Sequence, residues 1–392
     1  EEERSAITLY VHVPFCCRRC AYCGTYRVME REPDYDPFIR AVAREWELLR
    51  EEHPEIGDVQ VEAVYVGGGM PSLFGAPRLA ALLSALRVGP GWVEGCEVTL
   101  EAWPGSLDPE SGRALLEGGF NRLHVRVQSF HDPELVTLDR GYTAQQARDG
   151  IAAQRAAGFD CLSMDLRYGI PGQTLDSWTA TLKDAVALDC EHLTCNQLGR
   201  REELLHDRLL RGGFHESPLD EHLLAQYQAA ARRLVEAGYE QYEVESFARR
   251  GNVSRYASSV WERRVGYGLG PGAHSFDGAI RWRNAKDLGA YLGRLLDTGR
   301  LPPRERYRLS AENAAQEEVY LGLRRARGLR WETIARHVGE AGRSRLERRA
   351  RVLANQGFVE VTPDGLRLRR QAYFVADSIV LELIRTLEDA TA

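Results

Sequence analysis

Six short apolar runs in the N-terminal half of the chain constrain the fold more than any other feature. They are rich in β-branched residues and lie at 7–14, 61–66, 96–102, 122–129, 161–168 and 192–198. The stretches between them carry apolar residues at three- and four-residue spacing, which is typical of amphipathic helices, at 36–53, 76–87, 108–117, 143–157 and 174–188. Strands that alternate with helices form a mainly parallel sheet wrapped by helices. The pattern therefore predicts an α/β fold built as a partial (β/α)6 barrel of the TIM type.

The remainder of the chain predicts a second, smaller unit. A glycine-rich run at 266–273 is typical of a tight loop, and two prolines with dense charge at 299–312 indicate a linker. Beyond it, 357–369 has the pattern of a hairpin with an Asp-Gly turn, preceded by short helices. We therefore expect two domains, 1–298 and 299–392, the second resembling a small winged-helix module.

Composition narrows the classes of partner. The 392 residues carry a formal net charge of -6, so no general surface for nucleic acid is indicated. The chain begins Glu-Glu-Glu-Arg, and no apolar run reaches the roughly 18 residues of a membrane span. The expectation is a cytoplasmic protein without nucleic-acid or membrane partners.

Four of the eight cysteines lie close together, at 16, 17, 20 and 23. Cys16, Cys20 and Cys23 form C-x3-C-x2-C after the first predicted strand, and Cys17 should point elsewhere. Zinc would need a fourth ligand, and no second C-x2-C or H-x3-H pair supplies one. Three thiolates on a [4Fe-4S] cluster would leave one iron open for a reactive ligand. The alternatives are a redox-inert zinc site or unliganded core thiols. The other cysteines lie in apolar contexts that indicate core positions, at Cys96, Cys161, Cys190 and Cys195.

With these motifs, the chain resembles the radical S-adenosylmethionine (SAM) superfamily. Within it, Tyr10, His12, Pro14 and Phe15 before the cysteines resemble the HemN-like branch. That branch contains coproporphyrinogen III dehydrogenase, a related heme chaperone and the class C radical SAM methyltransferases. The resemblance extends over nearly the whole chain, in GGGMP at 67–71, EAWPG at 101–105, RVQSF at 126–130, MDLRYGIPGQT at 164–174, GLGPGAHSF at 268–276 and EVYLGLRRARGL at 318–329.

The resemblance implies that Cys16, Cys20 and Cys23 hold a [4Fe-4S] cluster whose open iron is chelated by SAM. It places Tyr10, Gly68 and Glu101 at this first SAM molecule. It places six further residues at a second SAM molecule: Tyr22, Gly69, Met70, Gln128, Arg140 and Asp165. The alternative for each polar residue is an ordinary, satisfied group at a strand end.

Two histidines have open roles. His12 is either a partner of the cluster or a packed core histidine. His274, directly after the glycine-rich run, is either a catalytic base near SAM and substrate or a capped loop residue.

Two local differences distinguish members of the branch. Thr25 stands where coproporphyrinogen dehydrogenases carry a further cysteine, and 256–261 lacks the histidine of the chaperones' HNxxYW signature. These differences favour a class C radical SAM methyltransferase, which uses two SAM molecules to methylate an sp2 carbon of a heteroaromatic ring. The expected substrate is a thiazole-containing peptide in natural-product biosynthesis of the thiopeptide (thiomuracin) type, with flavodoxin or ferredoxin as electron donor. The alternatives are a coproporphyrinogen III dehydrogenase, a heme chaperone or a non-enzymatic iron-sulfur scaffold.

Overall fold

The computed structural model describes residues 6–30, 33–198 and 220–388. The strands are β1 (Ala6–Val13), β2 (Phe15–Cys16), β3 (Val28–Met29), β4 (Gln60–Gly68), β5 (Gly91–Ala102), β6 (Arg122–Gln128), β7 (Leu162–Tyr168), β8 (His192–Gln197), β9 (Glu240–Gln241), β10 (Ser246–Ala248), β11 (Gly266–Leu269), β12 (His274–Phe276), β13 (Ile280–Asn284), β14 (Arg304–Arg308), β15 (Leu329–Arg330), β16 (Val359–Val361) and β17 (Gly365–Leu368). The helices are α1 (Asp36–Glu52), α2 (Ala76–Leu86), α3 (Pro109–Glu117), α4 (Asp132–Thr137), α5 (Ala144–Ala157), α6 (Leu175–Ala187), α7 (Asp220–Glu236), α8 (Arg255–Trp261), α9 (Leu288–Leu292), α10 (Ala311–Arg324), α11 (Trp331–Asn355, kinked at Gly339) and α12 (Ala376–Glu388). Short helical turns lie at Pro54–Asp58, Pro71–Phe74, Gly293–Asp297 and Arg370–Val375.

One large mixed sheet organises the described chain. Its strand order is β14-β13-β12-β11-β1-β4-β5-β6-β7-β8-β10-β9. The seven central strands, from β11 to β8, are parallel, and the strands at both ends are antiparallel. All six predicted strands are present, so the predicted α/β fold with a partial barrel is confirmed. Among the described strands the sheet is open, running from β14 to β9.

The two faces of this sheet differ sharply in polarity. On β1, Leu9 and Val11 are fully buried on the face that helices cover, because successive side chains of a strand point to opposite sides. Tyr10 and His12 point to the other face, which also receives Glu101 from β5. Parallel strands bring their carboxyl ends to one edge, so polar side chains collect there.

Two segments differ from the sequence-based predictions. The predicted tight loop at 266–273 begins as β11, parallel to β1. Within β11, position 268 is a glycine because a Cβ there would overlap the backbone carbonyl of His274. The predicted linker at 299–312 contains β14, which pairs with β13 and whose Arg304 and Arg306 both bind Glu52. Its alternating charge reflects an exposed edge strand.

The C-terminal part packs three helices around a small sheet. The hairpin predicted within 357–369 is present as β16 and β17, and β15 completes a three-stranded sheet. Helices α10, α11 and α12 contact one another, and α10 and α11 also contact this sheet. No helix in the described ranges is long and apolar enough to cross a membrane.

Candidate radical SAM site

The cysteine loop lies directly after β1. Cys16 ends β2, which pairs with β3 beyond the loop, so the segment between them is folded back on itself. Within it, the Cys23 amide donates to the Cys20 carbonyl, and Arg27 Nη1 donates to the Cys23 carbonyl at 2.7 Å. Cys17 is exposed, and its Sγ lies 3.6 Å from the Met70 Sδ. Three thiols are thus held on one short loop while the fourth points elsewhere.

The thiol environment suits an iron-sulfur cluster. Burial, followed by the nearby thiols of Cys23 and Cys20, raises the pKa of Cys16 to about 12. Thiolates can coexist there only with a strong cationic partner such as iron. In the described part of the chain, no three His, Cys, Asp or Glu side chains converge on a single metal ion. In a cubane each cysteine binds a different iron, so its ligands need not converge in that way. The donor set therefore fits a [4Fe-4S] cluster better than a mononuclear zinc.

A cavity opens beside these thiols. Its lining contains eight of the residues predicted for cofactor binding: Cys16, Cys20, Cys23, Tyr22, Gly68, Gly69, Met70 and Arg140. The lining of this cavity also includes Arg18, Thr25, Arg27, Trp103 and Arg126. The structure thus brings together residues that are separated by more than a hundred positions in the sequence.

The end of β4 approaches this cavity as bare backbone. Gly68 has φ +111°, a conformation that favours glycine. The Gly69 amide donates to the Val13 carbonyl at 2.6 Å, and the Met70 amide donates to the Phe15 carbonyl at 2.8 Å. A Cβ on Gly69 would overlap that Phe15 carbonyl. These glycines therefore let β4 pack against the start of the cysteine loop.

Glu101 organises the polar edge of the sheet. Its carboxylate accepts hydrogen bonds from Tyr65 Oη at 2.8 Å, from the Gly68 amide at 3.1 Å and from Arg126 Nη1 at 3.0 Å. Glu101 does not line the cavity itself, but it holds two groups that do, Gly68 and Arg126. It is buried, so these contacts fix its position.

Arg126 connects Glu101 and Asp165, two residues predicted to bind a cofactor. Arg126 itself was not among the site residues predicted from the sequence. Its Nε lies 2.9 Å from Asp165 Oδ2, while its Nη1 binds Glu101. Burial would raise the pKa of Asp165, but Arg126, and then His124, outweigh it and hold that pKa below its usual value. The sequence contains a pattern that could have indicated Arg126. Basic residues alternate along β6 at positions 122, 124 and 126, and this spacing places their side chains on one face of the strand.

Apart from Arg126 Nε, which faces the other oxygen of Asp165, two buried polar atoms at this edge have no hydrogen-bond partner of good geometry among the described atoms. They are Gln128 Nε2 and Asp165 Oδ1. The ring of His124 lies beside the latter, with Nε2 at 4.0 Å. Gln128 also has φ +72°, a strained conformation for a residue with a side chain. Buried polar groups are normally satisfied, so both atoms fit a site that receives polar groups of a bound cofactor.

Tyr10 and His274 lie outside this cavity. They line a second cavity together with Tyr256, Phe276 and Arg281. His274 has a solvent-accessible surface, but its ring is partly enclosed by neighbouring atoms, and this partial burial, followed by Arg283, lowers its pKa. His12 accepts from Tyr10 Oη on Nδ1 at 3.0 Å and donates from Nε2 to the Tyr26 carbonyl at 2.9 Å. His12 is therefore the packed core histidine of the two alternatives.

Comparisons with known proteins agree with this geometry. The family described as "Radical SAM superfamily" matches residues 10–185, and "HemN C-terminal domain" matches 309–375. Heme chaperone HemW of Mycobacterium tuberculosis (strain CDC 1551 / Oshkosh) is 33% identical over 379 residues, covering 96% of this chain and 94% of the relative. "Radical S-adenosyl methionine domain-containing protein 1, mitochondrial" of Bos taurus is 30% identical over 394 residues, covering 97% and 88%. Coproporphyrinogen III oxidase (HemN) of Escherichia coli superposes with a TM-score of 0.80 at 22% identity, covering 97% and 90%.

The chain belongs to the radical SAM superfamily, which implies a [4Fe-4S] cluster and SAM as cofactors. Within that superfamily its relatives and its C-terminal domain place it in the HemN-like branch.

The prediction of a class C methyltransferase acting on a thiazole peptide is wrong. The chain is similar over 96% of its length to a protein named heme chaperone HemW. This similarity supports the alternative of a HemN-like protein or heme chaperone rather than a methyltransferase. The prediction depended on Thr25 and on segment 256–261, two local differences, and similarity over the whole chain outweighs them. The second SAM molecule was part of the same prediction, and no finding supports it.

Proposed function

We propose that this chain binds heme and delivers it to an acceptor protein. The observation that carries the proposal is the full-length similarity, at 33% identity, to a relative named heme chaperone HemW. When bound, the iron-sulfur cluster and SAM would supply one-electron chemistry. Cys16, Cys20 and Cys23 would hold that cluster, and Gly68 would lie at the SAM beside it. The proposal assigns one SAM molecule, not two, to the cluster, and a small electron-transfer protein such as flavodoxin or ferredoxin serves as reductant.

An imidazole is the side chain that most often binds heme iron, and few of the described histidines have a free ring. The rings of His12, His124, His192 and His222 are hydrogen-bonded inside the protein. His53 is buried and stacked on Trp282. His131 and His337 lie beside Glu134 and Glu318, at 3.6 and 3.8 Å.

His274 differs from these histidines. In the described ranges no residue hydrogen-bonds its ring, its side chain is exposed, and its lowered pKa keeps it neutral, as a metal ligand must be. The cavity beside it presents aromatic rings of Tyr10, Tyr256 and Phe276. Tyr256 is the less suitable ligand, because burial and Glu101 raise the pKa of its phenol. We therefore assign heme iron binding to His274 within this proposal.

Heme titration followed by absorbance tests both parts of the proposal. The wild-type chain should bind one heme with a shifted Soret band, and His274→Ala should weaken binding by at least tenfold. His131→Ala, which removes another exposed imidazole, should leave binding unchanged. Release of the bound heme to an apo-hemoprotein then tests delivery. If the wild-type chain binds no heme, the function is refuted; if His274→Ala binds as the wild type does, only the assignment of the ligand is refuted.

The likeness to coproporphyrinogen III oxidase is one of fold, at 22% identity, and it supports no second function.

A further inference from the structure

Arg140 contacts one of the three cluster cysteines directly. Its Nη1 donates to Cys20 Sγ at 3.1 Å and to Tyr22 Oη at 3.1 Å. The residue is only 7% exposed. The contact spans 120 positions of sequence, and it brings a permanent positive charge to a thiol of the cysteine loop.

The guanidinium is held rigidly in this position. Its Nε donates to Tyr142 Oη at 3.0 Å, and its Nη2 donates to the Arg126 carbonyl at 2.7 Å. The Arg140 Cζ lies 3.9 Å from the centroid of the Trp103 ring. Of the five N–H groups of an arginine, four are thus directed at protein atoms, and one at most remains for a ligand. This arrangement suits a fixed partner of Cys20 better than a mobile clamp for a cofactor carboxylate.

We propose that Arg140 raises the reduction potential of the cluster through its N–H···S hydrogen bond to Cys20. Reduction adds one negative charge to the cluster. A buried cation in contact with a ligand sulfur stabilises that charge, and hydrogen bonds to sulfurs are an established means of setting cluster potentials. Because the guanidinium is buried, solvent screens the interaction little. Arg140 is a positioning and tuning residue, and it transfers no group itself.

Arg18 provides the matched control. It also lines the cavity, but its side chain is 47% exposed and pairs with Asp139 at 2.7 Å. It makes no hydrogen bond to a cysteine sulfur in the described part of the chain. Removing the Arg18 charge therefore tests cavity charge alone, whereas removing the Arg140 charge also breaks the hydrogen bond to sulfur.

Potentiometric titration of the cluster, followed by electron paramagnetic resonance, measures the effect without any turnover. At a fixed solution potential, Arg140→Met should lower the ratio of reduced to oxidised cluster at least tenfold, which for a one-electron couple is 59 mV. Arg18→Met should lower it less than threefold. Equal ratios in wild type and Arg140→Met, at equal iron content, would overturn the proposal, as would an equal effect of both variants.

A second measurement does not depend on the stability of Arg140→Met. Wild-type protein labelled with ¹⁵N-arginine should show weak ¹⁵N hyperfine coupling to the reduced cluster, and Arg140→Lys, which keeps the charge, should lose it. Absence of this coupling from the labelled wild type would refute the contact. Heme binding enters neither measurement, so the proposal stands or fails separately from the proposed function.

Discussion

Replacement of Glu45 by glutamine should remove a pH dependence of stability that the structure assigns to one buried carboxyl group. Glu45 lies on α1 and is 1% exposed. Its Oε2 accepts from the Gly270 amide at 2.8 Å and from Tyr291 Oη at 2.6 Å, and its Oε1 accepts from Asn284 Nδ2 at 2.6 Å. It thereby joins α1 to the turn after β11 and to β13.

The sign and size of the effect follow from the pKa of Glu45. Burial raises it from 4.5 to about 7, although the three hydrogen bonds oppose that rise. The folded chain therefore keeps a proton that the unfolded chain has lost between these pH values. The contribution of Glu45 to stability is therefore fully present below about pH 4.5 and is lost as the pH rises to about 7. At about 1.36 kcal/mol for each pH unit, the loss is about 3 kcal/mol.

Urea unfolding of the full chain, followed by tryptophan fluorescence at about pH 5 and pH 7.5, measures this loss. The difference in unfolding free energy between wild type and Glu45→Gln should change by about 2 to 3 kcal/mol between the two conditions. The glutamine also loses the Asn284 bond, which costs about 1 kcal/mol at every pH and leaves the slope unaffected. Glu47→Gln, on the same helix with a side chain 52% exposed, should keep the wild-type slope. Parallel slopes for wild type and Glu45→Gln would refute the reasoning.

Three further substitutions test the candidate site. Cys20→Ala should lose most iron and acid-labile sulfide after anaerobic reconstitution, and Cys17→Ala, whose thiol points elsewhere, should retain both; equal retention would contradict the ligand assignment. Gly69→Ala should lower the free energy of unfolding by about 1–3 kcal/mol in a denaturation assay, because the added Cβ would overlap the Phe15 carbonyl. Gly24 has open space around it, so Gly24→Ala should change the free energy of unfolding by less than about 0.5 kcal/mol in the same assay. Glu101→Gln should weaken SAM binding about tenfold in equilibrium dialysis, since a neutral amide no longer pairs with the Arg126 guanidinium; unchanged affinity would exclude Glu101 from the site.

The fold could be predicted wherever a strand or helix has a regular pattern of buried apolar side chains along its own sequence. The apolar runs of the six predicted strands mark positions buried under helices, so their pattern survives in the sequence. The signal fails in β11, where Gly266 and Gly268 are present because neighbouring atoms leave no room for a Cβ. It fails again in β14, an edge strand whose residues are mostly exposed and charged, so no core pattern exists.

The candidate site likewise has a part that the sequence predicts and a part that it does not. The cysteine spacing is local, so Cys16, Cys20 and Cys23 could be recognised as a set from the sequence. The contact of Arg140 with Cys20 and the bridge of Arg126 to Asp165 depend on how distant strands are placed, and no local spacing encodes them. The positive φ of a non-glycine residue at the end of β6 has no sequence signature either. Family resemblance indicated which residues gather at this edge but not what each one contacts.

The two cavities on the polar face bear on the proposed function, because a wall of packed side chains lies between them. The Tyr10 ring packs 6.1 Å from Tyr65 and 6.0 Å from Tyr256, measured between centroids, and Tyr65 donates to Glu101, which in turn accepts from Gly68 at the cysteine cavity. A heme bound through His274 would therefore lie on the far side of this wall from SAM and would not displace it. Heme binding by the proposed route then requires neither the cluster nor SAM, whereas a site at the open iron would require the cluster. Protein lacking the cluster cysteines consequently separates the two arrangements: heme affinity that persists without the cluster agrees with binding at the second cavity.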